Sequence, residues 1–291
     1  MFETLVAIVA PVFICAAIGY AWAKSGRRYD VEIVTVLATS ISLPALVFTT
    51  LVETEIEIAA LGKMVAAAVA ATGLFGLVGA AVLKLARIPL RSFLPAMMFP
   101  NVGNMGLPLA SLGFGEAGLA LAIVFFAVSV VLHLTVGVAL AAGTVSPRAL
   151  VRIPALYAVA GAVVILAGGL EPPSWLLNTT RILGGMLVPL MLITLGVSLA
   201  GLRIANLGRG LGLALLRFVL GLGAGLGVAQ VLGLEGTARA ILILQAAMPV
   251  AVINFLFAQR YGTDPAEVAG LVVLSTLFGF ATLPFLIGAL L

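Results

Sequence analysis

One apolar stretch of this sequence concentrates residues that interrupt helices and residues that donate hydrogen bonds. Its members are two prolines, two glycines and two asparagines, namely Pro100, Asn101, Gly103, Asn104, Gly106 and Pro108. Proline removes a backbone donor and clashes with the preceding turn, whereas glycine loosens the backbone. We therefore predict a helix, a break and a second half-helix. Pro108 falls in the first turn of that half-helix, where a missing N–H costs little.

A second stretch of this kind is centred on Pro249, which lies between two amide side chains. If the half-helices after the two breaks face each other, each presents unpaired N–H groups and about half a positive charge. Such a pair can bind an anion without a basic side chain. The predicted binding residues are Asn101, Gly103, Asn104, Gln245 and Asn254. Gln245 would contact either the ligand or a coupling cation. The alternative is that these amides only cap broken helices.

His133 is the only histidine, and it lies deep inside a predicted helix. The unperturbed pKa of histidine, about 6.5, is near physiological pH, so His133 is a possible proton site. The alternative is a structural hydrogen-bond donor within a helix bundle. Hydroxyl groups inside the predicted helices are expected to bond their own backbone rather than a ligand. They belong to Thr39, Ser40, Ser42, Thr194 and Ser198.

Catalytic and metal-binding patterns are not expected in this chain. A single cysteine, Cys15, and a single histidine allow neither an internal disulfide nor a cysteine or histidine metal cluster. The acidic residues all fall near predicted helix ends or in loops, and no nucleotide-binding motif occurs. We therefore expect no metal, no cofactor and no enzymatic activity.

The composition places these residues in a membrane. The chain has 291 residues, of which 63% are hydrophobic and 9% charged, and its mean hydropathy is +1.29. Soluble domains are about 45–50% apolar and about 25% charged. The sequence therefore predicts an all-α integral membrane protein and excludes a soluble enzyme, a nucleic-acid binder and a disordered chain.

Ten stretches are apolar enough to form membrane-spanning helices, which need about 20 residues each. They lie near 2–23, 31–52, 64–86, 92–113, 118–142, 154–170, 178–200, 211–233, 240–260 and 269–290. The connections between them are short. In the eighth stretch, glycines spaced four apart predict close helix packing, at Gly221 with Gly225 and at Gly223 with Gly227.

Basic residues fall mainly on one side of these predicted helices. Eleven lie in loops 1–2, 3–4, 5–6, 7–8 and 9–10, against three on the opposite side. The eleven are Lys24, Arg27, Arg28, Lys84, Arg87, Arg91, Arg148, Arg152, Arg203, Arg209 and Arg260. Arg217 is expected to reach the same side by snorkelling. The positive-inside rule makes that side cytoplasmic. Both termini and the acidic run Glu53, Glu55 and Glu57 are then outside. We expect the protein in the inner (plasma) membrane of a bacterium.

Landmarks in the two halves of the chain recur at nearly one offset, 145–149 residues. The pairs are Pro44 with Pro189, Pro100 with Pro249, and Gly115 with Gly262. Five spans per half is an odd number, so two similar halves must have opposite orientations. We predict a five-plus-five inverted repeat, residues 1–145 and 146–291, with broken helices 4 and 9. Interrupted helices at matching places point to a transporter binding site.

The chain resembles a known family over essentially its whole length, and two segments carry the signature of that family. "FPNVGNMGLPLASLGFGEAGLA" and "AMPVAVINFLFAQRYGTDPAEVAG" resemble the signature regions of the auxin efflux carrier family, which includes plant auxin exporters and bacterial carriers of malate- and malonate-type acids. The resemblance implies crossing helices 4 and 9, a scaffold of helices 1, 2, 6 and 7, and a transport domain of helices 3–5 and 8–10. It also implies elevator-type alternating access and a homodimer. Asn101 matches a substrate-contacting asparagine of the plant exporters.

Two departures limit what the resemblance carries over. The chain lacks the long loop between helices 5 and 6, and it has Asn254 where the plant exporters have a proline. Their hormone specificity is therefore not carried over. We expect a secondary transporter or facilitator of small organic anions, auxin- or malate-like carboxylates, whose partners are that substrate and the lipid bilayer. The alternatives are a Na⁺-coupled symporter of the bile-acid-carrier type and a non-transporting membrane receptor.

Overall fold

A computed structural model describes residues 2–53, 58–142 and 153–291, and within those ranges every named element is helical. The helices are α1 Phe2–Lys24, α2 Val31–Leu37, α3 Leu43–Glu53, α4 Ile58–Leu85, α5 Leu90–Met98, α6 Leu107–Leu132, α7 Val138–Ala142, α8 Pro154–Ala167, α9 Ser174–Gly185, α10 Leu187–Gly201, α11 Leu207–Val231, α12 Gly236–Ala246, α13 Ile253–Tyr261 and α14 Pro265–Leu290. Four charged residues used above for the orientation lie outside the described ranges. They are Glu55, Glu57, Arg148 and Arg152.

Seven helical stretches of the described chain are long and apolar enough to cross a membrane. They are Glu3–Lys24, Val31–Glu53, Ala59–Leu85, Val102–Ala142, Ser174–Gly201, Leu207–Val231 and Pro265–Leu290, and Pro154–Leu166 is a shorter apolar helix. The prediction of an all-α, multi-pass membrane protein is confirmed. The number of ten spans stays a prediction.

The stretch Val102–Ala142 is 41 residues long, too long for one span. Gly115 interrupts it with φ 62° and ψ −158°, a conformation that L side chains avoid. The sequence places the end of one apolar stretch and the start of the next on either side of this glycine. Its predicted counterpart, Gly262, also has a positive φ, 64°, at the end of α13.

Three five-residue segments are wound more widely than an α-helix, with i→i+5 geometry. They are Ala38–Ser42 between α2 and α3, Val102–Gly106 before α6, and His133–Gly137 between α6 and α7. We refer to them as the three π segments. Each widens its helix and turns the side chains around it out of the regular α register.

Glycines bring several helices into backbone contact. A Cβ on Gly196 of α10 would lie 1.8 Å from the carbonyl oxygen of Ala16 in α1. In α11, a Cβ on Gly221 would lie 2.2 Å from the carbonyl oxygen of Ala246 at the end of α12. Gly225 faces α12 as well, with Ile243 Cα 3.0 Å from the position of its Cβ. The predicted contact face Gly221/Gly225 is therefore used for helix packing.

Two expectations about α11 are wrong. Gly223 and Gly227 have nothing within 4 Å of the position of a Cβ, so they do not form a close helix contact with the described residues. Arg217 does not reach a helix end: its relative exposure is 0% and its guanidinium lies inside the helix bundle. The helix begins at Leu207, which puts Arg217 ten residues, or about 15 Å, along the axis.

Candidate functional site

The two breaks predicted from proline contact each other. α5 ends at Met98 and is followed by Phe99 in an extended conformation, whereas α12 ends at Ala246 and is followed by a turn at Ala247. Pro100 and Val250 form an antiparallel bridge, in which Asn101 N donates to Pro249 O at 2.7 Å and Ala251 N donates to Phe99 O at 3.3 Å. Backbone groups freed by the breaks are thereby paired with each other, as burial in an apolar environment requires.

A cavity of about 400 Å³ opens beside this bridge. Its walls come from the three π segments, both breaks and helices α2, α3, α6, α8, α10 and α13. Polar groups in the wall belong to Thr35, Thr39, Ser40, Asn101, Asn104, Ser129, His133, Thr194 and Ser198. The rest is apolar, and no described residue of the wall is charged. The third π segment contributes His133 and Leu134, so all three π segments meet at this cavity.

Both half-helices begin at this cavity. Val102 and Gly103 open the first, and Val252 and Ile253 open the second, and all four line the cavity. The first N–H groups of a helix have no carbonyl partner within it, and they carry the positive end of the helix dipole. The cavity therefore receives two positive helix ends, although no described lysine or arginine lines it.

Asn101 is both a cap and a free donor. Its Oδ1 accepts from the N–H of Asn104 at 3.2 Å, which caps the helical segment. Its Nδ2 is buried and has no hydrogen-bond partner among the described residues. An unpaired buried amide costs about 1–3 kcal/mol, and Asn101 is one of the residues that line the cavity. Oδ1 is therefore the capping atom, and Nδ2 is the atom to which the alternative interpretation, a ligand donor, would apply.

Gly103 and Gly106 leave room for large neighbours. A Cβ on Gly103, which lines the cavity, would lie 2.8 Å from Phe126 Cε2. A Cβ on Gly106 would lie 2.0 Å from Gln245 Oε1. Gln245 is fully buried, does not line the cavity, and has no partner for either amide atom among the described residues. The structure thus separates Gln245 from Asn101, Gly103 and Asn104, which the cavity brings together.

Asn254 connects three elements instead of facing the cavity. Its Nδ2 donates to Phe99 O at 3.0 Å and to Ala251 O at 3.1 Å. Since both partners are carbonyls, the Oδ1 of Asn254 must be the atom that meets His133 Nε2 at 3.0 Å, and that nitrogen must carry a hydrogen. Asn254 therefore holds the two breaks together and orients the ring of His133.

His133 lines the cavity between aromatic rings. It is stacked on Phe99, with centroids 4.1 Å apart, and meets Phe257 edge-on at 5.0 Å. With Nε2 committed to Asn254, Nδ1 is the ring nitrogen left to act on a ligand. Both sequence-based interpretations of His133, a proton site and a structural donor, are compatible with these contacts.

Several wall residues were not predicted as site residues. Thr39 Oγ1 does bond its own helix, at 2.7 Å from Thr35 O, as expected for a helix hydroxyl. However, Thr39 and Ser40 lie in a π segment that faces the cavity, and Thr194 of α10 reaches Tyr29 at 2.7 Å. These three residues reach the cavity wall through contacts between helices that are distant in sequence. In the sequence itself, a hydroxyl group inside an apolar stretch was the only feature that could have indicated them.

Sequence comparisons show the family of the chain. The model of the membrane transport protein family matches residues 4–145 and residues 139–287, which together span nearly the whole chain. The chain belongs to the membrane transport protein family. The predicted resemblance to auxin efflux carriers, which are members of this family, is confirmed. The family assignment and the apolar helices together indicate a multi-pass membrane transporter.

A distant relative of this family member is a protein of Methanocaldococcus jannaschii described as an uncharacterized transporter. The two are 24% identical over 213 residues, which cover 69% of each chain. The relative's name supports membrane transport and specifies no substrate.

Proposed function

We propose that this family member is a secondary transporter or facilitator of small organic anions, and that carboxylates bind in the cavity at the two helix breaks. The observation that carries the proposal is the buried, unpartnered Nδ2 of Asn101. It lies where two half-helices begin in one cavity without any charged residue in the described wall. Helix N-termini and amide donors favour an anion there, and Asn104 would add a second amide.

The proposal includes a ten-helix inverted repeat. Its broken, crossing helices 4 and 9 are the fourth and ninth predicted stretches, 92–113 and 240–260, and the helix numbers in this paragraph count those ten stretches. Three features support this arrangement: the antiparallel bridge between the breaks, the near-constant offset of the proline and glycine pairs, and the positive φ of both Gly115 and Gly262. We further propose scaffold helices 1, 2, 6 and 7, transport helices 3–5 and 8–10, elevator-type access, a homodimer, and both termini outside a bacterial inner membrane.

Counterflow in proteoliposomes tests this function. Vesicles loaded with unlabelled malonate or indole-3-acetate should accumulate the labelled compound from outside, and Asn101→Ala should reduce the rate. Saturable binding without counterflow would indicate a receptor instead. Counterflow that requires Na⁺ on the loading side would indicate the Na⁺-coupled alternative. No binding of any carboxylate, by protein shown to be folded, would refute the proposal.

A further inference from the structure

Arg217 is a fully buried cation without an anionic partner among the described residues. Its Cζ lies 4.4 Å from the ring centroid of Phe75, and its Nη2 donates to Ala246 O at 2.7 Å. Its Nε and Nη1 have no partner there. The described ion pairs are Arg181 with Glu53 and Arg209 with Glu267, so neither involves this side chain. Because a guanidinium stays protonated in proteins, the charge is present, and no acidic side chain among the described residues compensates it.

This charge lies directly behind the second break. Ala246 is the last residue of α12, and its carbonyl belongs to the negative end of that helix. Arg217 also borders a void of about 10 Å³, room for about one water, whose wall includes Met248 and Pro249. Pro249 O in turn accepts from Asn101 N. The segment Met248–Val250 therefore separates the guanidinium from the cavity.

The two breaks are capped differently. At the first, Phe99 O accepts from two neutral donors, Asn254 Nδ2 and Ala251 N. At the second, Ala246 O accepts from a cation. A carboxylate at the start of α13 is near the negative end of α12 as well, and that end would repel it. Arg217 cancels this repulsion and leaves the positive end of α13 unopposed.

We propose that Arg217 determines the selectivity of the cavity for anions, by supplying through the second break the positive charge that the described cavity wall lacks. This inference rests on the proposed function. A buried, unpaired cation is costly on its own, and a bound carboxylate would compensate it. Arg217 touches no substrate in this arrangement, so its role is to set the field that the carboxylate meets.

The test compares charged ligands with uncharged ones of the same shape. The probes are indole-3-acetate with indole-3-acetamide, and malonate with malonamide, titrated into purified wild-type protein, Arg217→Gln and Arg217→Lys. An opposite charge roughly 10 Å from a carboxylate, at an effective dielectric constant of about 20, changes its affinity by roughly 15-fold. We expect Arg217→Gln to lower the ratio of carboxylate to amide affinity by about that factor, and Arg217→Lys to keep it.

A second pair of variants leaves Arg217 in place. Ser275 borders the same void, and its Oγ accepts from Val250 N at 3.1 Å. Ser275→Asp would neutralise the guanidinium from across the void, while Ser275→Asn is the uncharged control of nearly equal size. We expect the aspartate variant to lose the preference for carboxylates and the asparagine variant to keep it, even if Arg217→Gln fails to fold.

The outcomes separate the two proposals. Carboxylate binding by the wild type, together with an unchanged ratio in Arg217→Gln or in Ser275→Asp, would overturn the role of Arg217 and leave the transport proposal standing. Equal losses for acid and amide in these variants would indicate a structural role only and would also overturn it. Failure of the wild type to bind either carboxylate would overturn the proposed function, and this inference with it.

Discussion

A set of different replacements at Asn101 can separate capping from the proposed ligand binding, because the two roles are assigned to different atoms. Asn101→Ala removes both the cap, Oδ1 to Asn104 N, and the free donor Nδ2. Loss of a hydrogen bond to a charged ligand costs about 1.5–3 kcal/mol, which is roughly a 10- to 150-fold loss of affinity. Loss of the cap costs about 1 kcal/mol of stability. We expect both effects in this variant.

Asn101→Asp is the sharper change, since it keeps an acceptor for Asn104 N at the start of the helix and replaces the donor with a negative charge. A carboxylate at a helix N-terminus gains about 0.3–1 kcal/mol from the helix dipole, but Asn101 is buried and burial of an unpaired charge costs more than that, so the unfolding temperature should fall rather than rise. Carboxylate binding should fall at least as far as in Asn101→Ala, because the cavity would then repel the ligand.

The assay is isothermal titration of malonate and indole-3-acetate into detergent-purified protein, with thermal unfolding measured on the same samples. Asn101→Thr is the matched control, because its hydroxyl can cap the segment without an amide donor. If Asn101→Asp bound carboxylates as tightly as the wild type, the asparagine would be a cap alone and the site assignment would be refuted.

Four further outcomes are expected. Asn104→Ala should weaken carboxylate binding within the same 10- to 150-fold range and leave thermal unfolding nearly unchanged; normal affinity would remove it from the site. Gly106→Ala should cost about 1–3 kcal/mol of stability by overpacking against Gln245, and Gln245→Ala should restore most of it; no rescue in the double variant would contradict this geometry. His133→Gln should leave the pH dependence of transport largely unchanged between about pH 5 and 8, because we expect any pH dependence to come from the ionisation of the substrate itself, and a glutamine amide can replace the ring N–H; a flat profile beside a sloped wild-type profile would assign the proton to the histidine. On a Cys15→Ala background, an impermeant thiol reagent applied to intact cells should label a single cysteine at position 55 and not one at position 150, and the reverse pattern would invert the topology.

Local chemistry explains which parts of the structure were predictable. The interruptions after Met98 and Ala246 follow from proline and glycine, whose effects act within one turn, so the sequence is sufficient to locate them. The apolar helices and the family follow in the same way from composition and from two signature segments. The turn at Gly115 is predictable to the same degree, because it lies between two apolar stretches.

Helix boundaries and contacts between distant helices explain what the sequence does not specify. The depth of Arg217 depends on where α11 begins, and a start at Leu207 instead of 211 moves the side chain one turn further inside. The separation of Gln245 and Asn254 from the cavity depends on side-chain direction within the bundle, which spacing does not specify. The hydroxyls of Thr39 and Thr194 reach the cavity only because α2 and α10 pack beside the breaks.

The bridge between the two breaks also has a consequence for how the chain is made. Asn101 N and its partner Pro249 O are 148 residues apart in the sequence. At a synthesis rate of about 5–20 residues per second, roughly 7–30 s pass before the second group leaves the ribosome. During that interval the amide of Asn101 and the carbonyl of Phe99 have no native partner. The first half of the chain must therefore stay hydrated at this point, or be sheltered by the insertion machinery, until the second half arrives.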